Sequence, residues 1–130
     1  MTASENCDIF STAPQKYEAG NAFYGSAYGP ANDSPGGGAV RAIDPLTGQL
    51  KWEYQHISYS ASGLLSTAGG LVFTGDAQGN FILLDANSGN VLWHFLAGGE
   101  IHSAPIAFAV DGKEYVVIAA GTALFAFGLP

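Results

Sequence analysis

From Ala39 onward, apolar and polar residues alternate with a period of two, in short runs bounded by Gly, Asp, Asn and Ser. That alternation places side chains on opposite faces of an extended chain and predicts β-strands. The strands read from it cover 39–43, 49–55, 64–67, 71–75, 80–84, 90–96, 102–109, 114–120 and 123–127. Between them lie turn signals: Ala68-Gly69-Gly70, Asp76-Ala77-Gln78-Gly79 and Val110-Asp111-Gly112-Lys113. Asp-Gly between apolar runs is a strong hairpin signal, because the turn requires positive φ. No stretch carries the 3.6-residue period of a long helix.

The pattern repeats. Ala42-Ile43-Asp44-Pro45-Leu46-Thr47-Gly48-Gln49-Leu50-Lys51-Trp52 is followed 41 residues later by Leu83-Leu84-Asp85-Ala86-Asn87-Ser88-Gly89-Asn90-Val91-Leu92-Trp93. Asp, Gly and Trp fall in the same register in both. A period of about 40 residues, filled with short strands, is the signature of a propeller blade. The fold class is therefore all-β, with antiparallel four-stranded blades. The chain supplies about two of them: an outer half-blade over 39–56, a full blade over 64–96 and a three-stranded blade over 102–128. In the last, Phe127 stands where Asp85 stands in the middle blade. Residues 1–38 read as an irregular, loop-rich segment, its aromatics scattered among Gly, Ala, Ser and Asn. Gly36, Gly37 and Gly38 precede a strand, and no Lys-Ser/Thr follows, so a flexible connection is preferred to a phosphate cradle.

Each residue of the repeated motif has a structural task. The carboxylates of Asp44 and Asp85 can accept backbone N–H groups of the turns that follow them. Gly48 and Gly89 take the left-handed conformation. Trp52 and Trp93 fall on outer strands, where a ring can pack between blades and its N–H can meet a carbonyl. Burying one such ring removes roughly 200 Å² from water, about 5 kcal/mol as an upper figure. Asp44, Gly48, Trp52, Asp85, Gly89 and Trp93 are thus docking residues; the two aspartates belong to separate turns and do not form a catalytic pair.

Composition narrows the chemistry further. Hydrophobic residues make up 48% of the chain and charged residues 12%, with 18 glycines, as suits short strands and tight turns. Four basic residues stand against eleven acidic ones, a net charge of −7, so no basic patch exists for nucleic acid or an anionic membrane surface. Cys7 is the single cysteine, which excludes an intrachain disulfide and a thiolate metal cage. His56, His94 and His102 lack metal-ligand spacing, and no Gly-x-Ser-x-Gly elbow is present. No catalytic or metal-binding residue emerges from the motifs. No apolar run is long enough for a membrane span. The N-terminus lacks the basic and apolar segments of a signal peptide, so the chain is expected to be either cytoplasmic or a portion of a longer precursor.

The motif Asp-x-x-(Ser/Thr)-Gly-x-x-x-Trp resembles the tryptophan-docking repeat of the quinoprotein dehydrogenases that use pyrroloquinoline quinone (PQQ). The segments around Leu64–Gly75, Gly79–Phe95 and Asp111–Gly121 are similar to the C-terminal portion of their alcohol-dehydrogenase branch. The resemblance covers residues 39–128, and more loosely the stretch from Glu5 to Gly25. It implies part of an eight-bladed propeller with PQQ and a calcium ion in a central funnel. It further implies oxidation of alcohols or aldehydes, a cytochrome as electron acceptor and a periplasmic location. The family's adjacent-cysteine pair, calcium-binding Glu and Asn and catalytic Asp have no counterpart here, so the isolated chain is expected to be inactive. Whether it holds either cofactor alone is not decided by the residues present. At the position of Ala61 the family commonly carries a Trp that lines the cofactor cavity. Ala61, Ser62 and Phe125 are the candidate cofactor-binding residues, with Gly63 as a neighbour.

Two alternatives stand beside that reading. One is a non-catalytic scaffold, similar to propellers that help assemble outer-membrane proteins and bind protein partners through loops and edges. The other is self-completion, in which further copies join through open strand edges. The rest of a propeller would use the same edges.

Overall fold

The computed structural model describes residues 1–5, 8–12, 14, 16–23, 27–30 and 36–128. Among the described residues there are twelve strands and no α-helix, so none is long and apolar enough to cross a membrane. The strands are β1 (Thr2–Glu5), β2 (Asp8–Ser11), β3 (Ala27–Pro30), β4 (Gly37–Ile43), β5 (Leu50–His56) and β6 (Leu65–Ser66). There follow β7 (Leu71–Gly75), β8 (Asn80–Asp85), β9 (Val91–Leu96), β10 (Ile106–Val110), β11 (Lys113–Ala120) and β12 (Ala123–Gly128). They form three antiparallel sheets in sequence, β1-β4-β5, β6-β7-β8-β9 and β10-β11-β12, together with a separate β2-β3 hairpin.

The N-terminal stretch departs from the irregular segment read over 1–38, since it carries three strands. Thr2 to Glu5 line up with Val40 to Gly37 along the free edge of β4. The first sheet is therefore three-stranded, where the half-blade over 39–56 would have had two. A four-residue strand has little periodicity of its own, and its partner lies across an intervening hairpin, so the pairing left no local trace. The first strand of the third sheet begins at Ile106 and not at His102. Pro105 has no N–H to give a ladder, which holds the strand to the residues after it.

The sheets stack face to face, and alternation divides the middle one between its neighbours. Val72, Ile82 and Leu84 turn toward the first sheet and pack with Val40, Trp52, Tyr54 and Leu64. Phe73, Phe81 and Leu83 turn the other way and pack with Ile101, Val116, Ile118, Phe125 and Phe127. Phe81 and Leu84 are both fully buried although they point in opposite directions. A sheet covered on both faces, with a core on each side, is a blade between two blades. The hairpin between β10 and β11 turns through Asp111 and Gly112, at φ 50° and 77°, the double positive φ of a type I′ turn.

Candidate functional site

The two copies of the repeated motif form the same turn. Asp44 Oδ1 accepts the N–H groups of Leu46 at 2.9 Å and Thr47 at 3.1 Å. Asp85 Oδ1 accepts those of Asn87 at 3.0 Å and Ser88 at 2.8 Å. The Thr47 and Ser88 hydroxyls each accept an N–H from two residues on, at 3.3 Å. Gly48 and Gly89 have φ of 72° and 73°. Register shifts occur at Ala42/Ile43 in one sheet and at Leu83/Leu84 in the next, so even the local bulge repeats. Backbone donors from Leu46 and then Thr47 are the main reason that the Asp44 carboxyl is held below its ordinary value; Lys51 adds to them. For Asp85 the first cause is the Ser88 hydroxyl, followed by the Ser88 N–H.

The motif also docks one sheet on the next. The Trp52 indole N–H donates to the Ala86 carbonyl at 2.9 Å, inside the second copy. Its ring lies against Gly89 so closely that a Cβ there would stand 2.5 Å from Cε3. Trp93, in the equivalent place one sheet later, meets aromatic rings: Phe127 at 5.3 Å and Phe81 at 6.3 Å, both edge-on, with Phe95 stacked at 6.1 Å. Beside it is a cavity of about 410 Å³ lined by Phe73, Phe81, Leu83, Val116 and Phe127. Among the described residues no ionisable side chain lines it, so they offer it apolar packing space and no polar anchors.

Candidate chemistry lies at the other ends of the strands, in the connections before β6 and β10. Ser60 and Ser62 are buried and Ala61 between them is exposed. The Ser60 hydroxyl donates to the Gly75 carbonyl at 2.7 Å. The Ser62 hydroxyl accepts the Gly75 N–H at 3.1 Å and donates to the Ser103 carbonyl at 3.0 Å. Ser103 in turn donates to the Ala119 carbonyl at 3.2 Å. Gly63 sits tightly on Ala104, where an added Cβ would come within 2.5 Å of the alanine's own. These contacts lace each sheet to the next.

Here too the 41-residue spacing holds. Ser60-Ala61-Ser62-Gly63 corresponds to Ile101-His102-Ser103-Ala104. Like Ala61, His102 is exposed between more buried neighbours, and it pairs with Glu100 at 2.9 Å. Ser60, Ser103 and His102 were missed by the sequence reading; the 41-residue spacing from Ala61 and Ser62 could have found His102 and Ser103, but no signal in the sequence marks Ser60.

The structure brings Ala61, Ser62 and Gly63 together at this end of the sheets. Phe125 stands on β12, its ring 5.3 Å from Phe95 within the packing between the second and third sheets. The residues present do not fit a complete cofactor site. Among the described residues no three His, Cys, Asp or Glu side chains group to hold a metal ion. The single Ser62 hydroxyl proton is used on a backbone carbonyl. Ala61 contributes an exposed methyl group and nothing polar.

Comparisons with known proteins agree with this architecture. A family model described as outer membrane protein assembly factor BamB matches residues 36–128. The chain is 43% identical over 84 residues to the quinoprotein ethanol dehydrogenase of Pseudomonas aeruginosa, covering 65% of this chain and 14% of that protein. The solved quinohemoprotein alcohol dehydrogenase ADHIIG of Pseudomonas putida HK5 superposes with a TM-score of 0.75 and 29% identity. That match covers 95% of this chain and 20% of the other. A europium-containing methanol dehydrogenase superposes with a TM-score of 0.72 and 31% identity, covering 90% and 22%. The chain thus spans a small share of the length of the relatives it matches.

Proposed function

The chain belongs to the family of BamB-type PQQ propeller repeats, and within it to the quinoprotein alcohol dehydrogenases, and from that premise we propose that it forms part of the wall of an eight-bladed ring. The parent enzyme would oxidise alcohols or aldehydes with PQQ and a bound metal ion, calcium being the first choice. It would work in the periplasm and pass electrons to a cytochrome. One observation carries the reading: Trp52 of one sheet docks on Ala86 and Gly89 of the next, at a spacing the sequence then repeats. Such sideways docking is how blades succeed each other around a ring.

Within this portion Ala61, Ser62 and the equivalent His102 and Ser103 would edge the central funnel. They supply neither a metal cage nor a catalytic base, so no chemical step is assigned to them. The chain alone is expected to show no dehydrogenase activity. The experiment is to purify it, add PQQ with calcium or europium, and follow dye reduction by primary alcohols. Turnover above a protein-free control would overturn the proposal.

The exposed surfaces favour a continuing ring over self-completion. Ile106, Phe108 and Leu124 are exposed on the outer face of the third sheet. The outer face of the first sheet carries the Arg41–Glu53 ion pair, with Gln55 bonded to the same glutamate. Copies stacked head to tail would press that apolar face onto the ion pair, at a desolvation cost. Light scattering that found closed multimers would reverse this preference. A non-catalytic scaffold is the second reading, and the description of the matching family model favours it. Quinone titration separates the two, because a scaffold would bind peptide strands and leave PQQ free.

A further inference from the structure

His56 ends β5 on the face that packs against the middle sheet, in register with Gly38. It is 6% exposed, and neither ring nitrogen has a hydrogen-bond partner. The Tyr54 ring stands edge-on to it at 5.2 Å. On the opposing face of the seam, Thr74 of β7 is fully buried with its hydroxyl likewise unpartnered. Asp76, in the turn between β7 and β8, is buried too. Its Oδ1 accepts the N–H groups of Gln78 and Asn80, and its Oδ2 accepts the Asn80 side-chain amide. His94 of β9 shares a cavity of about 220 Å³ with Tyr54, Asp76 and Asn80.

We propose that His56 makes the seam between the first and second sheets an acid-sensitive joint, closed while the imidazole is neutral and opened when it takes a proton. An imidazolium carries two N–H donors, and burial without partners for them costs far more than burial of a neutral ring. Thr74 offers one hydroxyl. Asp76 offers charge, but its oxygens are engaged in holding their own turn. Burial pushes the His56 pKa below its ordinary value, against a weaker upward pull from Asp76. The far end of the same seam is held by Trp52 on Gly89. In the next seam, packed with Phe73, Phe81, Ile101, Val116 and Ile118, no ionisable side chain is buried in the core among the described residues. Acid should therefore loosen the first seam and spare the second.

Each seam has its own tryptophan as reporter: the bonded Trp52 indole N–H in the first, and in the second the Trp93 ring, set edge-on to Phe81 and Phe127. The test is an NMR titration of the full, isotope-labelled chain from pH 7.5 to about 5, reading the His56 ring carbons, the exchange protection of the Trp52 N–H and the ring-proton shifts of Trp93. The expected result is that His56 stays neutral to below its ordinary value, while protection of the Trp52 N–H falls about tenfold per unit that the pKa is displaced. The Trp93 ring shifts hold over the same interval. His56→Phe should remove the pH dependence at Trp52. If that variant does not fold, the wild-type titration still decides. His56 titrating at or above its ordinary value, or the Trp93 ring shifts moving together with the loss of Trp52 protection, would overturn the proposal.

Discussion

The face of the Trp52 indole rests on Gly89, with no room for a methyl group between them: a Cβ on Gly89 would fall 2.5 Å from Cε3 and 2.7 Å from Cδ2. The glycine that lets one turn adopt positive φ is thus also the seat for the neighbouring sheet's tryptophan. Gly48 has the same φ and occupies the same place in its own motif, yet a Cβ there would meet nothing within 4 Å. The pair separates two roles of one residue type. Gly48→Ala should cost about 1 kcal/mol, for the left-handed backbone alone. Gly89→Ala should cost about 3 kcal/mol, because overpacking against the ring is added. Urea unfolding of the two variants measures both values, and equal costs would remove the docking role from Gly89.

The two tryptophans should differ in the same sense. Trp52 combines ring burial with a 2.9 Å bond to the Ala86 carbonyl, whereas Trp93 is 40% exposed among aromatic neighbours. Trp52→Ala is expected to cost about 4 kcal/mol and Trp93→Ala about half of that. Trp52→Phe keeps most of the apolar area and isolates the lost hydrogen bond, at about 1 kcal/mol. A larger loss for Trp93→Ala than for Trp52→Ala in thermal unfolding would place the main docking contact in the wrong seam.

The strands from β4 onward were legible because one face of each is apolar and a period of two is hard to mistake over five or six residues. The Asp-to-Gly turns were legible because Asp, Ser/Thr and Gly act within a few residues of each other. Non-local pairings left no comparable mark. Nothing around Thr2 announced that it would lie opposite Val40. The sequence suggested that Trp52 faces a neighbouring blade, but not that its seat is the glycine of that neighbour's own turn. At the candidate site, Ala61 and Ser62 drew notice through family resemblance. His102 and Ser103 occupy the same places one repeat later and became plain only when backbone carbonyls joined the two segments. The His56 joint was not legible at all, since an isolated histidine at a strand end reads the same whether buried or solvated.

Acid should weaken the two motif turns, and Ser88 should set the difference between them. Both aspartates have folded-state values below the ordinary one. Their stabilisation is therefore complete above the ordinary carboxylate value near 3.8 and fades as pH falls through the lowered folded value. The Ser88 hydroxyl, which donates to Asp85 at 2.8 Å, is the leading cause at that site. The corresponding Thr47 hydroxyl is the weakest cause at Asp44. Ser88→Ala should thus return Asp85 toward its ordinary value by more than Thr47→Ala returns Asp44. Carboxyl-carbon NMR titrations read both shifts, and equal displacements would contradict the assignment.

Ser62 should matter more for holding sheets together than for any ligand. Its hydroxyl accepts the Gly75 N–H and donates to the Ser103 carbonyl, so it joins the second sheet to the connection leading into the third. Ser62→Ala would leave the buried Gly75 N–H without its partner and take one donor from the Ser103 carbonyl, which keeps the Gly63 N–H at 3.4 Å, at a cost of about 2 kcal/mol. Ala61→Ser, one residue away but exposed, should stay within about 0.5 kcal/mol of the parent. Guanidinium unfolding with unchanged slope measures the first loss as a true change of stability. A neutral Ser62→Ala would mean that the hydroxyl bonds are replaced by water, and Ser62 would then have to be counted as a free polar group at the edge of the proposed funnel.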